Sequence, residues 1–260
     1  MDLGIKGRKA IVCASSRGLG RGCAMALAEN GVDVTINGRD EASLAATAEE
    51  IRAQTGVEVL AVAADISTPE GQRKLLDACP APDILINNNG GPPRSQIKDL
   101  DREQILSGLI MNMVTPIELI RDVLPHMIAQ KFGRIVNVTS IGVKMPVPFL
   151  DVSAGARAGL TAFCSGVART VAEHNVTINN LLPGFFDTDR QRAGFAATSK
   201  LTGTAVEDLA AARLRAVPVG RFGDPREFGL ACAFLCSAEI GYITAQNLLI
   251  DGGRYESSFG

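Results

Sequence analysis

Short apolar runs alternate with helix-length segments along almost the whole chain, and this alternation constrains the fold more than any other feature. The runs lie at residues 10–14, 32–37, 57–63, 84–87, 134–138, 176–181 and 247–250. Strands joined through helices run parallel to one another. The runs are also apolar throughout, as a sheet covered on both faces requires. The pattern therefore predicts an α/β fold, with a doubly wound parallel sheet of about seven strands and helices on both faces.

The segments between the runs complete this organisation. Helical patterns follow the first run to about residue 30 and occupy 41–54, 101–130, 151–173 and 225–237. The 101–130 pattern is expected to bend near Pro116 and Pro125. No internal repeat, linker or low-complexity tract interrupts the sequence, so we expect a single domain over residues 1–260.

Composition and charge exclude several classes of protein. The 26 basic and 28 acidic residues argue against nucleic-acid binding, which favours a clearly basic chain. No apolar run approaches the roughly 18 residues of a membrane span, and the first ten residues lack an apolar signal core. The six cysteines form no Cys-x-x-Cys pair, and His126 and His174 are the only histidines. We expect buried free thiols, no metal site and a cytoplasmic protein.

A glycine-containing loop joins the first strand to the first helix. It reads Ser15-Ser16-Arg17-Gly18-Leu19-Gly20. Glycine lets backbone amides approach a phosphate closely, and the following helix contributes a partial positive charge at its N-terminus. This arrangement predicts a Rossmann-type sheet with a dinucleotide at the loop.

The end of the second strand indicates which dinucleotide binds. An acidic residue there would favour NAD, but the sequence is Asn37-Gly38-Arg39. Arg39 and Arg17 are suited to binding a 2′-phosphate, so we predict NADP(H), with NADPH preferred over NADH. Asp65, after the third strand, either contacts the adenine edge or is an ordinary helix cap before Ser67.

Further motifs, taken together, resemble those of the short-chain dehydrogenase/reductase family over the whole chain. The glycine motif begins at Ala14 instead of the usual glycine, and the motif after the fourth strand is Asn87-Asn88-Asn89-Gly90, with Asn89 in place of alanine. The remaining matches are Asn112, Ser140, Pro183-Gly184 with Thr188, Tyr242-Ile243-Thr244-Ala245-Gln246 and Asp251-Gly252-Gly253. The resemblance implies an NADP(H)-dependent oxidoreductase that acts on a small carbonyl or alcohol substrate, by default of the 3-oxoacyl type. The cofactor-binding residues expected from the loop, the strand ends and the resemblance are Ser15, Arg17, Gly18, Leu19, Gly20, Arg39, Asp65, Ile66, Asn88, Gly90, Arg157, Pro183, Gly184 and Thr188.

The catalytic centre departs from the family pattern. The family has a Tyr-x-x-x-Lys pair about thirteen residues after its serine, whereas this chain has Ser153 and Arg157 there. A serine hydroxyl is a poorer acid than a tyrosine phenol, and arginine stays charged at neutral pH. Arg157 can still bind the ribose or stabilise an oxyanion. The candidate catalytic residues are Ser140, Ser153, Arg157 and Asn112.

Three functions remain open from the sequence. In the first, the chain is a reductase whose proton comes from Asp151, from Lys144, from a water at Asn112, or from Tyr255 in a C-terminal tail that approaches a neighbouring subunit's pocket. Alternatively, the scaffold performs bond cleavage, elimination or isomerisation without redox chemistry. In the third hypothesis, the chain binds a nucleotide and catalyses no reaction. The set of intact motif residues on the nicotinamide side favours the reductase.

The segment 185–217 has no strand pattern, and we predict that it forms a lid that contacts the substrate. It carries Phe185, Phe186 and Arg190, and Arg94 lies on the opposite rim. These arginines suit an anionic or carrier-linked oxoacyl substrate, although solvated arginines are equally compatible with the pattern.

Surplus apolar residues on two helices indicate association between copies of the chain. The helix around 112–127 and the helix over 158–171 carry more apolar positions than one buried stripe needs. In the family these helices pair across subunits, which implies a homotetramer, with a dimer as the alternative.

Overall fold

The computed structural model describes residues 2–258 and shows a sheet of seven parallel strands. The strands are β1 (Lys9–Val12), β2 (Asp33–Gly38), β3 (Val59–Ala63), β4 (Ile84–Asn87), β5 (Gly133–Val138), β6 (Val176–Pro183) and β7 (Asn247–Ile250). Their order across the sheet is β3-β2-β1-β4-β5-β6-β7, and each neighbouring pair is parallel. The strand order reverses direction between β1 and β4, which opens a crevice at the carboxyl ends of these strands. The predicted fold class is confirmed.

Helices cover both faces of this sheet. They are α1 (Gly18–Glu29), α2 (Glu41–Thr55), α3 (Pro69–Ala78), α4 (Arg102–Leu109), α5 (Thr115–Ala129), α6 (Asp151–Val171), α7 (Asp189–Thr202), α8 (Val206–Arg215) and α9 (Pro225–Leu235). Alternate residues of β1 show why both faces need cover. Ala10 and Val12 join one apolar core, and Ile11 and Cys13 join the other.

Three details of the helical prediction were wrong. The single helix expected over 101–130 is two helices, α4 and α5, joined by a π-helical turn at Ile110–Val114. Helix α3 was not predicted, although Thr68 and Pro69 give it a capped start. The segment 185–217, for which no strand was predicted and no helix was identified, contains α7 and α8, whose exposed faces carry too many polar residues to show an apolar stripe.

A ladder of four asparagines crosses the carboxyl half of the sheet. Asn87 donates to Asn137 at 2.9 Å, Asn137 to Asn180 at 2.9 Å, and Asn180 to Asn247 at 2.8 Å. These residues are register partners on β4, β5, β6 and β7. The buried amides of Asn87, Asn137 and Asn180 each donate to the next asparagine, which offsets part of the cost of burying them, although Oδ1 of Asn87 has no partner within residues 2–258.

The cysteines are free, buried thiols, as the sequence predicted. Burial raises the pKa of Cys13 and of Cys164 to about 12, so both are protonated at neutral pH. Within residues 2–258, no helix is long and apolar enough to cross a membrane.

Candidate active site

The loop after β1 is shaped by close packing against the end of β4. Ala14 and Gly18 both adopt positive φ, 45° and 58°. Gly20 has no room for a side chain, because a Cβ built there would lie 2.3 Å from the carbonyl oxygen of Ala14 and 2.9 Å from Nδ2 of Asn88. Asn88 donates to that carbonyl at 3.1 Å. The loop is therefore fixed against β4 through Asn88, and Ala14 adopts the strained conformation that glycine would adopt freely.

The N-terminus of α1 is open for a ligand. Its N-cap residue, Arg17, makes no side-chain capping bond, whereas Asp40, Thr68 and Thr188 cap the helices that follow them. The unpaired first-turn amides and the helix dipole suit a phosphate at this point. A Cβ built on Gly18 would lie 3.5 Å from Cγ2 of Thr188, so Thr188 lies against this loop. These residues fit the pyrophosphate of a dinucleotide.

Ser15, predicted to contact the cofactor, has a side chain that faces the protein interior and supports the loop from below. The residue has no exposed surface, and its hydroxyl donates to the carbonyl of Val12 at 2.6 Å and accepts from the amide of Asn37 at 3.0 Å. Its own amide donates to the carbonyl of Asn37 at 2.7 Å. Since these groups are already paired, Ser15 joins β1 to β2 and positions the loop.

The end of β2 is cationic, as the sequence indicated. Asn37 is buried and donates to the carbonyls of Val62 and Ala64 at 3.0 and 3.1 Å, so it binds β3 rather than solvent. The next charged side chain is Arg39, which is 80% exposed with Nη1 3.9 Å from Asp65. A hydrogen bond from Ser43 lowers the pKa of Asp40, with a smaller contribution from Arg17, which places Arg17 near the same strand end.

A groove of about 670 Å³ runs beside this strand end. Arg39, Asp65 and Ser67 form one wall, and Leu106, Ile110 and Met111 contribute apolar surface opposite. Asp65 accepts from the amide of Ser67 at 2.9 Å and closes the turn before α3, but the N-cap of α3 is Thr68 and not Asp65. An adenosine with a 2′-phosphate fits a groove of this composition.

Substitution of Gly20 tests whether this loop binds the nucleotide. In Gly20→Ala the new Cβ would displace Ala14 and Asn88, so we expect nucleotide affinity to fall at least about tenfold and stability by roughly 1–3 kcal/mol. Calorimetric titration and thermal unfolding measure the two effects. Gly166→Ala is the control, since its Cβ would meet nothing within 4 Å in α6 and should leave affinity unchanged. Equal affinity in both variants would contradict the assignment.

Arg157 lies at the centre of the site. It is 9% exposed, and Nη1 donates to the carbonyl of Val138 at 2.5 Å, Nη2 to the carbonyl of Asn89 at 3.2 Å and Nε to Oγ of Ser153 at 3.3 Å. Because α6 places Ser153 and Arg157 one turn apart, one helix face presents both to the ends of β4 and β5. A guanidinium has five N–H donors, so two remain for a ligand.

The charge of Arg157 is poorly solvated. Burial and, to a smaller extent, the neighbouring charge of Arg190 together lower its pKa to about 9. At neutral pH the group is still a cation, and a low-dielectric site strengthens its attraction for a developing oxyanion. No carboxylate in residues 2–258 forms an ion pair with it.

Two hydroxyls accompany Arg157. Oγ of Ser153 accepts from Arg157, and Oγ of Ser140 accepts from the amide of Gly142 at 2.9 Å. Each hydroxyl therefore keeps its own proton available for donation. Ser153 also lines a cavity of about 400 Å³ bounded by Pro92, Phe149 and α4. This cavity is large enough for a small organic substrate.

Asn112 faces the same region from the π-helical turn. It is 2% exposed, yet neither Oδ1 nor Nδ2 has a hydrogen-bond partner within residues 2–258. Its neighbours include Asn88, Asn89 and Arg157. A π-helical turn widens the helix and is common at functional sites. The turn directs an available amide towards the candidate centre.

Of the four predicted substrate residues, Phe186 lies in the core, whereas Phe185, Arg94 and Arg190 lie around the candidate site. Phe186 was expected in the lid, but its ring is 5% exposed and packs edge-on against Phe228 at 5.3 Å, so that prediction was wrong. Phe185 is half-buried beneath the guanidinium of Arg213, at 4.5 Å. Arg94 and Arg190 lie around Gly90, Gly91 and the start of α7.

The remaining predicted residues lie at the carboxyl ends of the strands. Pro183 ends β6, and the amide of Gly184 donates to the carbonyl of Ile250 at 2.8 Å. Ile66 is buried in the core beneath the groove, with its backbone after β3. Asp151 lies in the first turn of α6. Sequence reasoning placed Asn89 in a motif but missed that its carbonyl holds Arg157, because a backbone acceptor has no side-chain signature. It also missed Arg213, a cation far from every motif.

Comparison with known proteins agrees with this geometry. A family profile described as enoyl-(acyl carrier protein) reductase matches residues 13–254. The 3-oxoacyl-[acyl-carrier-protein] reductase of Vibrio harveyi is 34% identical over 255 residues, covering 97% of this chain and 99% of that protein. The chain belongs to the short-chain dehydrogenase/reductase family. It is therefore an oxidoreductase of this class.

Solved reductases of the family superpose closely. L-sorbose reductase from Gluconobacter frateurii, complexed with NADPH and L-sorbose, has a TM-score of 0.92 at 27% identity, covering 99% of this chain and 100% of its own. YwfH, an NADPH-dependent reductase involved in bacilysin biosynthesis, has a TM-score of 0.89 at 27% identity, with 96% and 99% coverage.

Proposed function

We propose that the protein is an NADPH-dependent reductase of carbonyl compounds with Ser153 and Arg157 in place of the family's tyrosine and lysine. The observation that carries the cofactor preference is the end of β2, where Arg39 is exposed and the buried amide of Asn37 occupies the place of an acid. The NADPH named for L-sorbose reductase and YwfH supports the same choice. Ser15 is assigned to support of the loop, and the other predicted nucleotide contacts are retained.

Calorimetric titration with NADPH and with NADH tests the proposal. We expect micromolar binding of NADPH and much weaker binding of NADH, since a 2′-phosphate gains charge-assisted hydrogen bonds with Arg17 and Arg39. Equal affinities would contradict the assignment of these arginines. If neither NADPH nor NADH binds, the proposed reductase function is wrong, and the hypothesis of non-redox chemistry is favoured.

Bound NADPH would supply a hydride to the carbonyl carbon of the substrate. The protein's own contribution is to hold the carbonyl oxygen as it becomes negative. Ser140 and Ser153 each have a hydroxyl proton to donate, and Arg157 has two unpaired N–H groups beside them. Asn112 offers a further unpaired amide. These donors stabilise an oxyanion without giving up a proton.

The proton for that oxygen must come from another group, and we propose Tyr255. Within residues 2–258, Tyr242 has a fully exposed side chain, whereas Tyr255 is half-buried with its ring 5.6 Å from Nζ of Lys144. Lys144 follows Ser140 by one turn, and the amide of Tyr255 donates to Asp251 beside Gly184. Tyr255 thus lies between the two loops that flank the candidate centre.

Tyr255→Phe tests the proton donor. We expect kcat to fall about a hundredfold or more with NADPH affinity unchanged, because only the phenolic proton is removed. Tyr242→Phe should leave both quantities unchanged. A Tyr255→Phe enzyme with full turnover would exclude this tyrosine.

The substrate is proposed to bind beneath α7 and α8, within the predicted lid of 185–217. Phe185 and the two arginines of the rim, Arg94 and Arg190, line this side. The curated relative from Vibrio harveyi, a 3-oxoacyl reductase, supports an oxo compound as the substrate class.

We also propose that the chain forms a homotetramer. Outside the groove beside β2, exposed apolar side chains lie on α4, at the end of the π-helical turn and on α6, and a second set lies on α9 and β7; they are Ile105, Val114 and Phe163, and Leu230, Phe234 and Leu248. Two separate apolar faces suit the two interfaces of a symmetric tetramer. Light scattering after gel filtration should give a mass close to four times 27.3 kDa. A dimer would leave one face unexplained, and a monomer would contradict the proposal.

A further inference from the structure

Three arginines from separate parts of the chain converge above the candidate centre. Arg94 follows β4, Arg190 begins α7 and Arg213 ends α8. A Cβ built on Gly194 would lie 3.6 Å from Nε of Arg94, and one built on Gly91 would lie 3.4 Å from Nη2 of Arg190. These positions place the side chains of Arg94 and Arg190 around the first turn of α7.

Their charges act on one another. Partial desolvation and the charge of Arg94 lower the pKa of Arg190, and the same two causes together lower the pKa of Arg213 to about 10. The charge of Arg190 acts in the same way on Arg157. The four guanidinium groups therefore form a continuous positive region that extends from the candidate centre to the lid.

No acidic side chain neutralises this region. Within residues 2–258, Arg94, Arg190 and Arg213 form no ion pair, and Arg190 makes no hydrogen bond. Arg192, only two residues further along α7, shows the contrast, because it lies 2.7 Å from Asp189 and also pairs with Asp187. A folded protein keeps unneutralised like charges together at a cost in stability.

The contacts that the arginines do make hold them in place and leave the charge free. Nη1 of Arg94 donates to the carbonyl of Pro148 at 3.0 Å. Arg213 stacks over Phe185 at 4.5 Å and over Phe195 at 5.3 Å. Arg190 lies beside Gly90 and Gly91, where the surrounding chain desolvates part of the side chain but leaves surface that solvent and ligands can reach. This is the arrangement of a binding site for an anion.

We propose that Arg94, Arg190 and Arg213 bind a carboxylate or phosphate group of the substrate and direct its carbonyl towards Arg157 and Ser153. The inference rests on the proposed reductase function and narrows its substrate class to acidic oxo compounds. Guanidinium groups bind either oxyanion in the same bidentate manner. Three of them suit a dianion or two separate anionic groups better than a single charge.

Thermal unfolding with simple anions tests the site without any turnover. The probes are malonate and inorganic phosphate, each compared with sodium chloride at equal ionic strength, with and without saturating NADP. For the wild-type protein we expect Tm to rise by about 3–5 °C at ten times the dissociation constant of the bound probe. A rise with malonate alone identifies a carboxylate site, and a rise with phosphate alone identifies a phosphate site.

Matched variants separate the site from general salt effects. Arg190→Gln and Arg94→Gln should lose the rise, and Arg192→Gln, on the same helix, should keep it. Without an anion, Arg190→Gln should have an equal or higher Tm than wild type, because repulsion is relieved. If Arg190 only stabilised the fold, Arg190→Gln would have a lower Tm than the wild-type protein, and the proposal would be wrong.

Three further results would overturn the proposal. The first is the absence of a rise with either probe in the wild-type protein. The second is an equal rise in Arg190→Gln and Arg192→Gln. The third is a tenfold or greater loss of NADPH affinity in Arg190→Gln, which would assign the arginine to the cofactor. An error in the proposed reductase function would give a different result. NADPH would then not bind, but the anions would still raise the Tm of the wild-type protein.

Discussion

Arg157→Met is expected to lower kcat/KM by at least about a hundredfold while the protein still folds. The substitution removes the donor at the centre of the site, and removal of one positioned oxyanion donor costs about 10²–10³ in rate. It also leaves the carbonyls of Val138 and Asn89 without this partner and frees Ser153 from its hydrogen bond. Steady-state kinetics with NADPH and a carbonyl substrate measures the loss.

A second arginine of α6 provides the control. Arg169 is exposed and donates to Oγ of Ser165 at 2.7 Å, so Arg169→Met should leave kcat/KM within a factor of two or so. The affinity for NADPH separates the roles of Arg157. A fall in kcat with unchanged affinity indicates stabilisation of the oxyanion, and a parallel fall in affinity indicates a ribose contact. Unchanged turnover in Arg157→Met would remove Arg157 from the mechanism.

Arg39→Asp should reduce the preference for NADPH over NADH by at least about a hundredfold. The change removes a charge-assisted bond to the 2′-phosphate, worth about 1.5–3 kcal/mol, and adds a carboxylate that repels the same group. A carboxylate at this strand end can also accept hydrogen bonds from the ribose hydroxyls of NADH. Titration with each cofactor measures both affinities. NADPH binding should weaken, and NADH binding should stay equal or improve.

Long-range charge effects need a control with the same change in net charge. Arg73→Asp is a suitable control, because Arg73 is an exposed residue of α3 that lies outside the groove beside β2. It should leave the ratio of the two affinities unchanged. Arg17→Ala should lower NADPH affinity alone, by a smaller factor than Arg39→Asp. An unaltered ratio in Arg39→Asp would contradict the 2′-phosphate assignment.

Much of the fold could be predicted because it depends on local patterns. The apolar runs placed the strands, and their separation by helical segments required parallel pairing. Helix α3 escaped prediction because few of its ten residues are apolar. The π-helical turn escaped because an insertion of this kind leaves the helical pattern on both sides intact.

The candidate site was predicted where side chains follow strand ends. Gly18, Gly20 and Arg39 occupy the positions that the strand order implied, because the carboxyl ends of parallel strands meet at one edge. Ser15 and Phe186 differ from the expectation for one reason. Their side chains turn inwards to groups far away in the sequence, the backbone of Asn37 and the ring of Phe228.

The sequence by itself determined the parallel sheet, the phosphate loop, the cationic end of β2 and the replacement of tyrosine and lysine by Ser153 and Arg157. These features depend on the order of residues along the chain. Only the tertiary structure decided that Arg157 is held by Val138 and Asn89, and that Arg213 joins Arg94 and Arg190 without a carboxylate. The physical reason is that burial and charge neutralisation depend on every segment packed around a side chain. Those neighbours are brought together by the fold and not by the sequence order.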